Sequence, residues 1–117
     1  MLHEMRLKEE PFCKIWEGKK TIELRLYDEK RRLLQIGDEI LFTPLSGGAE
    51  RIRVRVVKLH LFDSFQALYE ALPLEQCGYD VTTMATAKAS DMDAYYSPEE
   101  QARYGVVGIE MQVTQRE

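Results

Sequence analysis

The alternating stretch from Arg51 to Leu61 constrains the fold of this chain more than any other feature. Apolar side chains at 52, 54 and 56 alternate with arginines at 51, 53 and 55, which is the two-residue period of a β-strand. The period slips by one residue at Val57 and resumes with Leu59 and Leu61. A slip inside one long strand predicts a β-bulge or a strong coil, as curved and closed sheets require.

Other segments have the composition and period of strands. Residues 39–45 precede the long stretch and are separated from it by Ser46-Gly47-Gly48, which is typical of a hairpin turn. Residues 2–7 are a candidate first strand. Alternation also occurs from Thr21 to Tyr27 and over residues 107–113, which predicts two more strands.

Helical patterns lie between the predicted strands. Residues 11–16 place Phe, Ile and Trp on one face and are followed by Gly18, a helix stop. Ser64 is an N-cap for a helix that ends at Pro73, because its apolar residues recur at helical spacing. Ser97-Pro98-Glu99-Glu100 has the pattern of a capping box.

The segment from Glu75 to Ser90 has no clear period, and we expect a long loop there. Asp91 is expected to cap a short turn that reaches Tyr96. The order of elements predicts an α+β fold, most economically a mixed β-barrel flanked by short helices. The length of 117 residues fits a single domain over residues 1–117.

Composition excludes several classes of protein. Hydrophobic residues make up 44% and charged residues 31% of the chain, which suits a folded domain rather than a disordered one. The net charge of −4 hides an asymmetry, since residues 1–62 carry 13 basic and 10 acidic side chains, whereas residues 63–117 carry 3 and 10. Only the first half is therefore a candidate to face a polyanion.

The sequence has no sign of a metal site, a disulfide scaffold or a membrane segment. Cys13 and Cys77 are the only cysteines, and His3 and His60 have no ligand at metal-binding spacing, so we expect neither metal nor cofactor. No apolar run reaches the ~20 residues of a membrane-spanning helix, and no signal peptide is recognisable. A soluble, cytoplasmic protein is the expectation.

The richest group of charges lies at the start of the second predicted strand. Glu23 and Arg25 share a parity and project from the same side of this strand, while Lys20 lies at its entry, where a turn can re-aim it. Spacing alone makes Lys20 a solvated lysine and the other two a surface ion pair worth ~0–1 kcal/mol.

Gly18-x-Lys20-x-x-Glu23-x-Arg25 resembles the G-x-K-x-x-E-x-R signature of the ASCH domain, a PUA-like β-barrel family. Residues elsewhere in the chain also match, as in small stand-alone bacterial members. The matching segments are Pro11-Phe12, Asp28-Glu29-Lys30-Arg31, Gly37-Asp38 and Tyr104-Gly105-Val106-Val107-Gly108-Ile109.

The resemblance implies a cleft between barrel and helices that binds RNA, a nucleotide or a nucleoside. The matching positions make Gly18, Lys20, Glu23 and Arg25 candidate ligand-binding residues. For stacking on a base, Tyr27 and Tyr96 are the best candidates, because Tyr27 shares the parity of Glu23 and Tyr96 adjoins the unpatterned segment.

Enzymatic activity stays open. One bacterial branch of the family removes the acetyl group of N4-acetylcytidine with a lysine and a threonine on this strand, and another branch is associated with ribonuclease activity. Lys20 matches the lysine, but Glu23 stands where that branch has its threonine, and Thr21 is displaced by two residues. A hydrolase would use Glu23 to activate water and Lys20 to stabilise an oxyanion.

Two further interpretations also stay open. The acidic second half predicts a protein-interaction module that docks through Asp91, Asp93, Glu99 and Glu100. The arginines at 51, 53 and 55 form either a contact for a nucleic-acid backbone or, as we favour, a solvent-facing charged surface that protects a strand edge.

Overall fold

The computed structural model describes all 117 residues, and its five strands form one mixed sheet. The strands are β1 (Leu2–Leu7), β2 (Ile22–Leu26), β3 (Glu39–Pro44), β4 (Ile52–Phe62) and β5 (Val106–Arg116). Their spatial order is β1-β3-β4-β5-β2. β1 is parallel to β3, and the other neighbouring pairs are antiparallel.

The predicted bulge in β4 is confirmed. Its pairing with β5 shifts register between Val56 and Lys58, so that Val57 is the extra residue. A second shift leaves Thr114 of β5 unpaired, where the Thr114 hydroxyl donates to the Arg53 carbonyl at 3.1 Å. Two bulges in one ladder increase the twist of the sheet and curve it around the core.

The sheet curves without closing into a barrel. β1 and β2 form its two edges, and no backbone ladder joins them. Instead, Arg25 of β2 spans the gap, since its Nη2 donates to the Arg6 carbonyl of β1 at 3.0 Å. A side-chain hydrogen bond thus joins the two edge strands, where a closed barrel would have backbone hydrogen bonds between them.

The helices are short, and three of the four begin at a side-chain cap. They are α1 (Glu9–Trp16), α2 (Phe65–Ala71), α3 (Val81–Met84) and α4 (Pro98–Tyr104). Ser64 accepts from Ala67 N at 3.1 Å, and Ser97 forms the predicted capping box with Glu100. None of these helices has the length and apolar character that crossing a bilayer requires.

The prediction of a long loop from Glu75 to Ser90 is wrong. This part of the chain contains a 3₁₀ turn at Leu74–Cys77, the helix α3, and the start of another 3₁₀ turn at Ala89–Ala94. Asp91 is the third residue of that second turn rather than its cap. These elements are shorter than the window over which a hydrophobic period is visible, and side-chain caps hold two of the three.

The fold has two apolar clusters, and β2 contributes residues to the second of them. One cluster lies inside the curved sheet around Phe42 and Ile15, and the other joins Ile22 and Leu24 of β2 to Phe65 of α2. The second face of β2, which carries Glu23, points away from α2 and is nevertheless buried.

The arginines of β4 do not protect an edge, because β4 lies between β3 and β5. Arg53 and Arg51 are half-buried and Arg55 is exposed. Arg53 Nη1 lies 3.7 Å from a carboxylate oxygen of Glu39, and Arg51 Nη1 donates to the Gly48 carbonyl at 2.7 Å. Arg53 and Arg51 therefore have separate local contacts, and Arg55 faces solvent.

Candidate functional site

A tight turn after α1 aims Lys20 back over β2. Gly18 adopts a φ of +81°, a left-handed conformation that favours glycine, and its N–H donates to the Ile15 carbonyl. The N–H of Lys20 then donates to the Lys14 carbonyl at 3.1 Å. Gly18 thus shapes the turn and does not line the cavity described below.

Lys20, Glu23 and Arg25 form a buried ion triad. Lys20 Nζ lies 2.9 Å from Glu23 Oε1, and Arg25 Nε donates to Glu23 Oε2 at 2.8 Å. The three side chains are 10%, 5% and 13% exposed, respectively. The structure therefore differs from the surface ion pair that spacing alone predicts. One carboxylate is held between two cations, and the triad has a formal charge of +1.

The contacts of the triad fix the protonation of Glu23 and Arg25. Burial by itself would raise the pKa of Glu23, but the Lys20 ammonium and the Arg25 guanidinium outweigh burial and hold this pKa below its ordinary value. Burial would likewise lower the pKa of Arg25, but the Glu23 carboxylate raises it. At neutral pH Glu23 is therefore a carboxylate and Arg25 a guanidinium cation.

The triad forms the floor of an open cavity of about 470 Å³. Residues of α1 and of the chain just before it line one wall, and residues between Tyr69 and Tyr96 line the other. About half of the lining residues are hydrophobic. Such a volume is in the range of small-molecule sites, which combine apolar walls with a few polar groups.

The wall formed by residues 74–79 is tied by hydrogen bonds to α1 and to the residue that follows Lys20. Lys14 Nζ donates to the Gly78 carbonyl at 2.6 Å, and the N–H of Thr21 donates to the Gln76 carbonyl at 2.9 Å. Gly78 has a φ of +109°, and a Cβ on it would lie 3.3 Å from Lys20 Cδ. The stem of Lys20 therefore packs against a residue that favours glycine for two reasons.

A hydrogen-bonded chain of Tyr69, Tyr79 and Asp91 lies in the same wall. The two tyrosine hydroxyls are 2.6 Å apart, and Tyr79 donates to Asp91 Oδ2 at 3.0 Å. Burial is the largest cause that raises the pKa of Tyr79, so this phenol stays protonated. Sequence analysis missed this network, since only the Asp80-to-Thr83 capping pattern indicates that the segment is ordered.

The tyrosines predicted to stack on a base are divided by the structure. Tyr96 lines the cavity, and its ring stacks on Phe65 with centroids 6.2 Å apart. Tyr27 lies outside the cavity, where the Arg32 guanidinium is 4.4 Å from the centre of its ring. Tyr95 also lines the cavity and is 57% exposed.

Comparisons with known proteins agree with the signature. The model of the ASCH domain matches residues 5–115. A crystal structure of hypothetical protein PH0355 is 35% identical with a TM-score of 0.80, and the match covers 97% of this chain and 100% of that chain. A solution NMR structure of protein PF0455 from Pyrococcus furiosus is 36% identical with a TM-score of 0.71, covering 98% and 99%.

No curated protein matches the chain in sequence. The two structural matches extend over almost the whole chain, and they confirm the α+β, PUA-like fold, with the sheet open between β1 and β2.

Proposed function

We propose that the cavity binds a nucleobase, either of RNA or of a free nucleotide or nucleoside, because this chain belongs to the ASCH domain family, whose members generally resemble RNA-binding proteins. The observation that carries this proposal is the ion triad of Lys20, Glu23 and Arg25 at the floor of the cavity. The ligand-binding residues we propose are these three together with Tyr95 and Tyr96.

The triad offers both kinds of hydrogen-bonding group that a base edge needs. A lysine ammonium has three N–H donors, and Glu23 is the one carboxylate within 4 Å of Lys20 Nζ, so donors remain for a ligand carbonyl. Each Glu23 oxygen has a second lone pair, which can accept from an exocyclic amine. The combination suits a base held outside a duplex and read at its Watson–Crick edge.

Aromatic and apolar side chains would supply the stacking energy. Tyr95 and Tyr96 lie on the wall that faces α1, together with Met92. Base stacking on an aromatic side chain is worth about 1–3 kcal/mol per base. Tyr95 is the better candidate because it is exposed, with the Lys8 ammonium 4.8 Å from the centre of its ring, whereas Tyr96 is half-buried and stacks on Phe65.

A hydrolase remains the second candidate, with Glu23 as general base and Lys20 as oxyanion stabiliser. The geometry favours binding over this reaction, since both Glu23 oxygens contact cations and the pKa of Glu23 is lowered. An efficient base has a pKa near the working pH. Thr21 does not supply the missing nucleophile, because its hydroxyl donates to Gln76 Oε1 and the residue lies outside the cavity lining.

The protein-interaction module has less support. Asp91 accepts from Tyr79 and from the N–H of Lys88, Asp93 accepts from Gln101, and Glu100 caps α4. Three of the four carboxylates thus stabilise local structure, while Glu99 is exposed and has no such contact, so most of the proposed docking charges already have a role within the chain.

The test is a titration of the protein with each of the four ribonucleosides and with N4-acetylcytidine, monitored by the NMR chemical shifts of its backbone amides. We expect saturable shifts in residues that line the cavity. Ala94→Trp should lower the affinity at least about tenfold, because an indole at this exposed, cavity-lining position blocks entry without touching the triad. Ala102→Trp is the matched control, since Ala102 is exposed on α4 and away from the cavity.

Absence of saturable binding for all five probes contradicts the proposal. Equal affinity for the Ala94→Trp and Ala102→Trp variants would show that the probes bind elsewhere. Release of acetate from N4-acetylcytidine would instead support the hydrolase.

A further inference from the structure

A second depression, which we term the basic groove, adjoins the cavity and has the opposite character. Its volume is about 680 Å³, and β1, the end of β3, the hairpin turn and the chain after β2 form its sides. Only two of its twelve lining residues are hydrophobic. Its charged lining residues are Glu4, Arg6, Arg25, Lys30, Arg31 and Arg51.

The cations of the basic groove are largely unpaired. Arg31 is paired with Asp28 and Arg25 with Glu23, but Arg6, Lys30 and Arg51 have no carboxylate within 4 Å. Arg51 uses Nη1 for two backbone carbonyls of the hairpin turn and keeps its other nitrogens free. Since the whole chain has a net charge of −4, this concentration of positive charge is local.

The groove and the cavity are continuous through Arg25. Arg6, Arg25 and Leu45 line both depressions. Arg25 Nε donates to the buried Glu23 on the cavity side, and Nη2 donates to the Arg6 carbonyl at the boundary. A ligand that passes from one depression into the other would therefore cross the Arg25 guanidinium.

We propose that the basic groove binds the phosphodiester backbone of a single RNA strand that inserts one base into the cavity. This inference rests on the proposed function and identifies its ligand as an oligonucleotide rather than a free nucleoside. Arg6, Lys30 and Arg51 contact successive phosphates, and Arg25 positions the nucleotide at the point where the backbone turns toward the cavity.

The chemistry of the two depressions favours a single strand. A base enters the cavity only when it is unstacked, which single strands permit at low cost. Unpaired Arg and Lys side chains suit phosphate oxygens, and arginine binds them in a bidentate manner. The groove has few apolar residues, so it provides little of the anchoring surface that a protein partner needs.

The experiment measures fluorescence anisotropy of a fluorescein-labelled heptaribonucleotide of randomised sequence, alongside the nucleoside titrations. With three phosphate contacts, the affinity for the heptanucleotide should fall about 20-fold between about 50 and 200 mM salt, since each contact on a single strand adds about −0.7 to the slope of log K against log salt. Nucleoside affinity should change little over the same range.

The double variant Lys30→Ala/Arg51→Ala should weaken heptanucleotide binding about tenfold and reduce the salt slope by about 1.4, with nucleoside affinity unchanged. Arg55→Ala/Lys58→Ala is the matched control, because it likewise removes one arginine and one lysine. Both residues lie on β4, are exposed and are outside the groove. The control should bind like the wild type.

The outcomes separate this inference from the proposed function. Equal heptanucleotide affinity and salt slope in the two double variants overturn the basic groove as a backbone site, while saturable nucleoside binding still supports the cavity. Nucleoside affinity that falls with Lys30→Ala/Arg51→Ala also overturns it. Heptanucleotide binding that depends on Lys30 and Arg51 but not on Ala94→Trp contradicts base insertion and the proposed cavity ligand.

Discussion

The cavity and the basic groove share Arg25 but differ in the burial and pairing of their charged side chains. In the cavity, Glu23 is held between Lys20 and Arg25, and all three side chains are almost fully buried. In the groove, Arg6 and Lys30 are exposed and have no carboxylate partner. One region contains a charge cluster that the fold itself needs, and the other contains charges that the fold can do without.

This difference determines which property each region controls. Buried charges interact strongly because the local dielectric is low and salt screens them little, so they fix geometry and protonation. Exposed charges are screened within about 8–10 Å at moderate salt, so they contribute long-range attraction and little stability. The triad is thus suited to specificity and the groove to salt-dependent affinity.

The sharpest test of this contrast compares one glutamate from each region. Glu23→Gln leaves two buried cations without a carboxylate and should lower the free energy of unfolding by about 3–5 kcal/mol. Glu4→Gln, on the exposed rim of the groove, should change it by less than about 0.5 kcal/mol. Urea unfolding at neutral pH measures both values, and a loss near zero for Glu23→Gln would mean that the triad is hydrated and mobile.

The two lysines provide a smaller version of the same comparison. Lys20→Met removes one of the two cations that hold Glu23 but leaves the Arg25 hydrogen bond, and should cost about 2 kcal/mol. Lys30→Met, in the groove, should stay within about 0.5 kcal/mol of the wild type. Thermal and urea unfolding provide the measurement, and equal losses for the two variants would remove the distinction between the regions.

Acid pH should reduce the contribution of the triad to the free energy of unfolding. Because the pKa of Glu23 in the folded chain lies below its ordinary value, its contribution to stability is complete above about pH 4.5 and is lost as the pH falls through the lowered pKa. The unfolding free energies of wild type and Glu23→Gln should therefore converge below about pH 4.5, by ~1.4 kcal/mol for each pH unit by which the pKa of Glu23 is lowered.

Taking the difference in unfolding free energy between wild type and Glu23→Gln at each pH removes the contributions of other acid-sensitive groups, because both proteins contain them. Asp38 is one of these, because hydrogen bonds from His3 and from Gln35 N hold the pKa of its carboxyl below the ordinary value in both proteins. A difference between wild type and Glu23→Gln that stays constant down to about pH 3 would contradict the lowered pKa of Glu23.

Much of the fold could be predicted because its signals are local. The period of two from Arg51 to Leu61, with its slip at Val57, indicated the long strand and its bulge, and Ser97-Pro98 marked the start of α4. The segment from Glu75 to Ser90 could not be predicted in this way. Its turns are too short to show a period, and long-range contacts such as Lys14 Nζ to the Gly78 carbonyl hold it in place.

The candidate site was only half accessible to sequence reasoning. Parity placed Glu23 and Arg25 on one side of β2, and the family signature added Lys20, but neither indicated that Glu23 would be buried. Tyr79 contributes to the wall because the chain from α2 to α4 folds over β2, which no pattern around this residue reveals. Tyr27 shares the parity of Glu23 and yet lies beside Arg32, outside the cavity.

The sequence by itself determined the strands, the caps and the order of charges along β2, because these depend on period, backbone conformation and neighbours in the chain. Tertiary structure decided that Lys20, Glu23 and Arg25 meet in a buried triad, that residues from Tyr69 to Tyr96 enclose a cavity above it, and that Arg6, Lys30 and Arg51 gather in a groove beside it. The members of the triad lie within six residues of one another, but their burial depends on segments distant in the chain that pack around β2, and burial sets how strongly the charges interact.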